Sequence, residues 1–281
     1  MTFTQKVVVI TGAARGLGLA YATALAQRGA KVVMGDVGAD RSGAGADESV
    51  VHQAAARLQQ QGWEVRAHQG EYSQEAACKS LIEKAVEAFG GVDILIHNAG
   101  WVDYQPIEKT EDTFIARAIG VNIYAPLWLC KHAWPYLKQS ASPRVILTTS
   151  DRAMFADYAQ VGLCGYAAGK MAQIGMMNAL AMEGKSEGIK VNAISPVAKT
   201  RMWGVSGTPE NLTAESVVPG VLFLASEACQ DSGYILRASN GQFTATRFEE
   251  NGGVDYPLDL ARVKADDAET LGERWSQIKE R

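Results

Sequence analysis

The sequence predicts an open, doubly wound α/β domain, with a parallel sheet of about seven strands and helices on both faces. Three observations predict it. Short apolar runs alternate with longer helical stretches through most of the 281 residues. The runs are continuously apolar rather than alternating, which is how parallel strands buried on both faces read. A glycine-rich turn then joins the first run directly to the first helical stretch, as at the start of a β-α series.

The strand candidates, in order, are Lys6–Ile10, Lys31–Asp36, Trp63–Gln69, Val92–His97, Arg144–Thr149, Lys190–Ser195 and Tyr234–Arg237. Helical stretches read over Leu17–Arg28, Ser49–Gln60, Gln74–Phe89, Thr110–Leu137 and Leu163–Glu183. The stretch Gly35–Asp47 is longer than an ordinary βα connection. After Asn251 the β-α rhythm stops. One domain over residues 1–250 is therefore expected, with a helical tail over 251–281. Ala261–Lys279 in that tail reads as an amphipathic helix lying on the body or on a neighbouring subunit.

Composition narrows the function classes. At 47% hydrophobic and 21% charged residues the chain can bury a large core. Its 27 basic and 31 acidic side chains are scattered and give a net charge of −4. No nucleic-acid partner is expected from that balance. No apolar run approaches the roughly 18 residues of a membrane helix, and the opening MTFTQKVVVI lacks the layout of a signal peptide. Cys78, Cys130, Cys164 and Cys229 lie far apart without a CxxC, and the four histidines are equally dispersed. Neither a disulfide frame nor a metal site is expected, and the reading is a cytoplasmic protein.

The glycine turn is Thr11-Gly12-Ala13-Ala14-Arg15-Gly16-Leu17-Gly18. Glycines between a strand and a helix let a pyrophosphate approach backbone N–H groups at the helix N-terminus, where the partial positive charge favours an anion. Asp36 closes the second strand 18 residues after Gly18. A carboxylate there can accept hydrogen bonds from a ribose diol and would repel a 2′-phosphate. Arg15 pulls the other way, but Asp36 occupies the space that the extra phosphate would need, so NAD is expected over NADP.

Tyr166-Ala167-Ala168-Gly169-Lys170 places a phenol and an ammonium four residues apart on one helix face. A phenol loses its proton near pH 10, and a fall of about 3 units needs roughly 4 kcal/mol of help from nearby cations. Ser150 ends the fifth strand, at the carboxyl edge where open α/β sheets bind ligands. Thr149 is a minor rival to it.

Together the TGxxxGxG turn, the YxxxK pair and the preceding serine resemble the short-chain dehydrogenase/reductase family over Lys6 to about Arg237. The resemblance implies a Rossmann-type fold and an oxidoreductase that passes a hydride to nicotinamide, with Tyr166 as base and Ser150 and Lys170 beside it. It also implies a helix asparagine, Asn122, whose main-chain carbonyl holds a water that links the lysine to solvent. Asn98-Ala99-Gly100 matches the family's turn after the fourth strand along the cofactor, with His97 before it in a structural role. Pro196, Val197 and Thr200 fall where the family meets the nicotinamide carboxamide, although Val197 replaces the usual glycine. The serine-to-tyrosine gap is 16 residues instead of the family's 13, so the loop Asp151–Gly165 is three residues longer. A homodimer or homotetramer is implied through the helices Thr110–Leu137 and Leu163–Glu183.

Gly35–Asp47, Val191–Met202, Ser216–Asn240 and Gly241–Phe248 further resemble the (3R)-hydroxyacyl-CoA dehydrogenase unit of peroxisomal multifunctional enzyme type 2 and its bacterial stand-alone relatives. A bulky apolar substrate, a 3-hydroxyacyl-CoA or a hydroxysteroid, is expected, bound by Ser150 with Met154, Phe155, Met202 and Trp203. Other secondary alcohols, such as aromatic or terpenoid carbinols, are the alternative. A non-catalytic nucleotide-sensing protein on the same fold is a reading from a different class. The presence of tyrosine, lysine and serine together weighs against it.

Overall fold

The computed structural model describes residues 1–40, 43–199, 212–261 and 263–279. The chain divides into two compact units, Met1–Thr246 and Arg247–Arg281, a few residues before the boundary expected at 250. The first unit holds one eight-stranded sheet. Its strands are β1 (Val7–Thr11), β2 (Lys31–Asp36), β3 (Val65–Gln69), β4 (Ile94–His97), β5 (Arg144–Thr148), β6 (Lys190–Val197), β7 (Ile235–Ser239) and β8 (Gln242–Thr246). Their spatial order is 3-2-1-4-5-6-7-8. The first seven pair in parallel and β8 runs antiparallel to β7. This is the doubly wound Rossmann-type sheet expected, with one strand more. The order reverses between β1 and β4, and a ligand crevice opens at such a point.

The faces of each strand explain the two layers of helices. Val8 and Ile10 point to a cluster with Tyr21 and Leu25 of α1 (Gly16–Ala26), Val51 and Leu58 of α2 (Glu48–Gln59) and Val221 of α8 (Val218–Ala225). Val7 and Val9 point the other way. They meet Leu81 and Ile82 of α3 (Glu75–Phe89), Leu129 of α5 (Ala125–Leu137) and Met177 of α7 (Cys164–Glu183). Successive strand residues therefore need apolar side chains on both faces, which is why the strands read as unbroken apolar runs.

The helical run predicted over Thr110–Leu137 is α4 (Asp112–Ile119), a π-helical turn (Gly120–Tyr124) and then α5. By length and composition it is apolar enough to cross a membrane, and here Phe114, Leu129 and Leu137 are buried in the first unit. The eighth strand follows a two-residue turn, Asn240-Gly241, with φ of 50° and 71°. That is the backbone of a type I′ hairpin, for which Asn-Gly is the favoured pair. In the second unit the expected single helix is two short ones, α9 (Ala268–Glu273) and α10 (Trp275–Lys279). Asp267 fixes the start of α9, its carboxylate accepting the Thr270 N–H at 2.7 Å.

Candidate active site

A cavity of about 1300 Å³ lies at the carboxyl ends of the strands, where the sheet order reverses. Gly12, Arg15, Gly16, Leu17 and Asp36 line one end of it. The glycines of the turn are required by space. A Cβ on Gly12, whose φ is +63°, would come within 2.9 Å of Ala99 Cα, and one on Gly18 would lie 2.0 Å from the Gly12 carbonyl oxygen. Asn98 braces the turn from β4, its Nδ2 donating to the carbonyls of Thr11 at 3.2 Å and Gly12 at 3.1 Å. The Ala99 N–H donates to Thr11 Oγ1 at 3.2 Å, which lies 3.0 Å from His97 Nδ1. Burial holds His97 at a pKa of about 3, so its ring is neutral and structural, in line with the sequence reading.

Asp36 stands at the end of β2 with Oδ1 accepting the Gly38 N–H at 2.8 Å and Oδ2 accepting the Ala14 N–H at 3.0 Å. Each oxygen keeps a lone pair for a further donor. Arg15 reaches across the same loop, its Nη2 donating to the Ala39 carbonyl at 3.0 Å. A cradle with no room for Cβ atoms, open at a helix N-terminus and flanked by a carboxylate, fits a nicotinamide dinucleotide. Ala99, Gly100, Pro196 and Val197 line the same cavity. Pro196 lies beyond the last β5 partner of β6, Ile194 opposite Thr148, so its missing N–H interrupts no bond to β5. Thr200 lies outside the described residues.

Ser150, Tyr166 and Lys170 line the same cavity. The Tyr166 phenol hydrogen-bonds with the Ser150 hydroxyl. Burial raises the phenol's pKa, while that hydrogen bond and the charge of Arg152 pull it down. Lys170 is buried, donates from Nζ to the Thr148 carbonyl at 2.9 Å, and lies 5.9 Å from the Tyr166 ring centroid. Burial pushes its pKa down to about 7. Thr149 also lines the cavity, but its hydroxyl is committed, donating to the Lys170 carbonyl at 2.8 Å within a buried contact. The choice between the two hydroxyls therefore falls to Ser150.

Asn122 sits in the π-helical turn, fully buried, with Nδ2 donating to the Trp101 carbonyl at 3.3 Å. Its main-chain carbonyl accepts from Gln173 Nε2 at 3.2 Å, and its Oδ1 is buried with no partner. Gln173 also accepts the Thr148 N–H at 3.1 Å, so one side chain ties β5 to the turn that carries Asn122. Sequence reasoning missed Gln173. Its spacing, three residues after Lys170 and seven after Tyr166, puts it on the same helix face and was the available signal.

Two of the four apolar side chains predicted for the substrate wall, Met154 and Phe155, do not line the cavity. Met154 packs onto the core cluster beneath the sheet. Phe155 lies against Tyr158, with the Arg237 guanidinium 4.6 Å from its ring centroid. Neither lines the cavity; Met154 has apolar cover, and Phe155 has a ring and a guanidinium against it, contacts that a loop sequence does not reveal. Met202 and Trp203 lie outside the described residues. Tyr104, Arg152, Tyr158 and Gln160 line the cavity together with Trp101, Val102 and Ala159. The longer loop begins with a helical turn, α6 (Asp151–Met154), which Ser150 caps by accepting the Arg152 N–H at 3.3 Å. Asp151 takes Arg237 Nη2 at 2.8 Å and Nε at 3.0 Å, and the Ser195 hydroxyl at 2.7 Å. The insertion is thus bolted to the ends of β6 and β7.

Comparison with known proteins agrees with this geometry. The profile of the short chain dehydrogenase family matches residues 6–210. The peroxisomal hydratase-dehydrogenase-epimerase of Saccharomyces cerevisiae is 32% identical over 281 residues, which are 99% of this chain and 30% of that protein. Peroxisomal multifunctional enzyme type 2 of Mus musculus is 29% identical, over 99% of this chain and 37% of its own length. The chain therefore spans about a third of either relative. The crystal structure of a short chain dehydrogenase from Mycobacterium avium superposes with a TM-score of 0.82 at 27% identity, covering 98% of this chain and 95% of that one. The chain belongs to the short-chain dehydrogenase family and is an oxidoreductase acting on CH–OH groups.

Proposed function

We propose that the chain is an NAD-dependent dehydrogenase that interconverts a secondary alcohol and a ketone on a bulky substrate, of the 3-hydroxyacyl thioester or hydroxysteroid type. The observation that carries this reading is the placement of Ser150, Tyr166 and Lys170 on the same cavity as the glycine turn. In this reading the Tyr166 phenolate takes the carbinol proton and the Ser150 hydroxyl donates to the substrate oxygen, which it holds against Tyr166. A bound nicotinamide dinucleotide supplies the acceptor for the electron pair leaving the carbinol carbon. Burial works against the phenolate, and the Ser150 hydrogen bond and Arg152 charge oppose that effect. Lys170 adds a fixed donor within the same pocket. Asp36 supports NAD over NADP, because a 2′-phosphate would face its carboxylate.

The cavity, at about 1300 Å³, is larger than a small alcohol beside the cofactor needs, which supports a bulky substrate. A dehydrogenase is also among the activities named for the yeast relative. The test is reduction of NAD+ and NADP+ in parallel across 3-hydroxyacyl thioesters, hydroxysteroids and small carbinols. NADH formation with the bulky alcohols is expected. No reduction of either nucleotide by any secondary alcohol would contradict the reading.

A further inference from the structure

We propose that Arg152, held by Tyr104 beside Ser150 and Tyr166, binds a carboxylate on the substrate, so that the alcohol oxidised is a bulky hydroxy acid. This rests on the reading of the site as a secondary-alcohol dehydrogenase and, among its bulky substrates, favours a free acid over a thioester.

Arg152 stands two residues after Ser150, and its side chain lines the cavity with Ser150, Tyr166, Tyr104 and Gln160. Its Nη1 donates to the Tyr104 hydroxyl at 2.6 Å, and that hydroxyl donates to Gln160 Oε1 at 3.2 Å. The two loops that supply these braces are clamped together. The Gln105 N–H donates to the Gly162 carbonyl at 3.0 Å, and Gly162 has a φ of +87°, with a Cβ there lying in tight contact 3.1 Å from Gln105 N. One guanidinium edge is therefore fixed. Among the described residues its other N–H groups meet no acceptor, and no carboxylate pairs with it.

The neighbouring charges are committed elsewhere. Asp151 is taken by Arg237 and Ser195. Arg117 lies 5.4 Å from the Trp101 ring centroid, near Gly43 of the loop after β2, and Arg15 is bonded to Ala39. Asp157 also lines the cavity but forms no ion pair with Arg152. A planar fork of donors with one unmatched positive charge suits a carboxylate, which takes two parallel N–H bonds. A phosphate dianion would leave one charge unmatched. A purely structural role is redundant here, since Asp151 and Arg237 already anchor the turn that carries Arg152. The carboxylate and the carbinol must sit on one scaffold, because Arg152, Ser150 and Tyr166 line one cavity and Arg152 follows Ser150 by two residues.

The probes are 2-naphthoate and 2-naphthamide, which share a shape and differ in charge. Their binding to the NAD+-saturated protein is measured by titration calorimetry for the native chain, Arg152→Gln and Arg152→Lys. The native chain is expected to hold the carboxylate about tenfold or more tighter than the amide. That ratio should fall to near one in Arg152→Gln and survive in part in Arg152→Lys. Equal binding of the two probes by the native chain, or a ratio unchanged in Arg152→Gln, would overturn the proposal. Should the glutamine variant fail to fold, a ratio in Arg152→Lys equal to the native one would overturn it, and a reduced ratio would support it. Turnover separates this inference from the reading beneath it. Oxidation of neutral carbinols with no preference for hydroxy acids defeats only the carboxylate site. Selective naphthoate binding without turnover of any secondary alcohol defeats only the dehydrogenase reading.

Discussion

Lys170 is buried and Tyr166 half-buried, and loss of water pushes their pKa values in opposite directions: the phenol up and the ammonium down to about 7. Free lysine titrates near 10.4. Below pH 7 the folded chain therefore carries the whole cost of a buried cation. Between about pH 7 and 10 the unfolded chain holds a proton that the folded chain does not, so the stability contributed by this site rises with pH. In the cofactor-free protein Lys170→Met is expected to be more stable than the parent at pH 6, by up to about 4 kcal/mol. The advantage should shrink toward pH 10. Urea midpoints at a series of pH values check it, and a difference independent of pH would remove the burial argument. Asp36 governs the other end of the cavity. Asp36→Ala should weaken NAD+ binding and improve NADP+ binding, read from Kd values by fluorescence titration. The loss of its bonds to Gly38 and Ala14 should add to the first effect.

At the scale of elements, the turn α6 is held by Asp151, which takes Arg237 and the Ser195 hydroxyl, and by Met154 packed on the core cluster. Arg237→Met should leave Asp151 without its ionic partner. Turnover should then fall about tenfold or more with NAD+ affinity nearly unchanged, since Ser150 and Arg152 ride on α6 while the cradle does not. Steady-state kinetics with calorimetric NAD+ titration tests the split. Which elements were legible follows from what they bury. The strands β1 to β7 were readable because two covered faces demand continuous apolar residues. The strand β8 was not, because Gln242–Ala245 are exposed and only the Asn240-Gly241 pair announces the hairpin. The glycine turn, Asp36, Ser150, Tyr166 and Lys170 were visible through spacing along one strand end or one helix face. Arg152, Tyr104 and Gln160 were not, because their meeting depends on two loops whose paths no periodicity encodes. Met154 and Phe155 were misread for the same reason: composition reports that a loop is apolar and not which way it turns.

At the scale of the whole molecule, two surfaces outside the cavity bear on assembly. Ile115, Tyr124 and Leu127 on the α4–α5 run and Met171 and Met182 on α7 are exposed apolar side chains. A homodimer or homotetramer is proposed through these helices. Leu127→Glu together with Tyr124→Glu should shift the protein toward monomer in sedimentation velocity at micromolar concentration. A native protein that already sediments as a monomer would refute the proposal. Within the first unit the sheet brings the glycine turn, Asp36, Ser150 and the first turns of α7 to one cavity, and in the proposed mechanism the chemistry turns on a single phenol. Tyr166→Phe removes only its ionisable oxygen. With NAD+ and a bulky secondary alcohol, turnover should fall by about 10² to 10⁴, the scale of a lost general base, while calorimetric NAD+ affinity stays near that of the parent. A folded Tyr166→Phe protein that reduces NAD+ at close to the parent rate would contradict it.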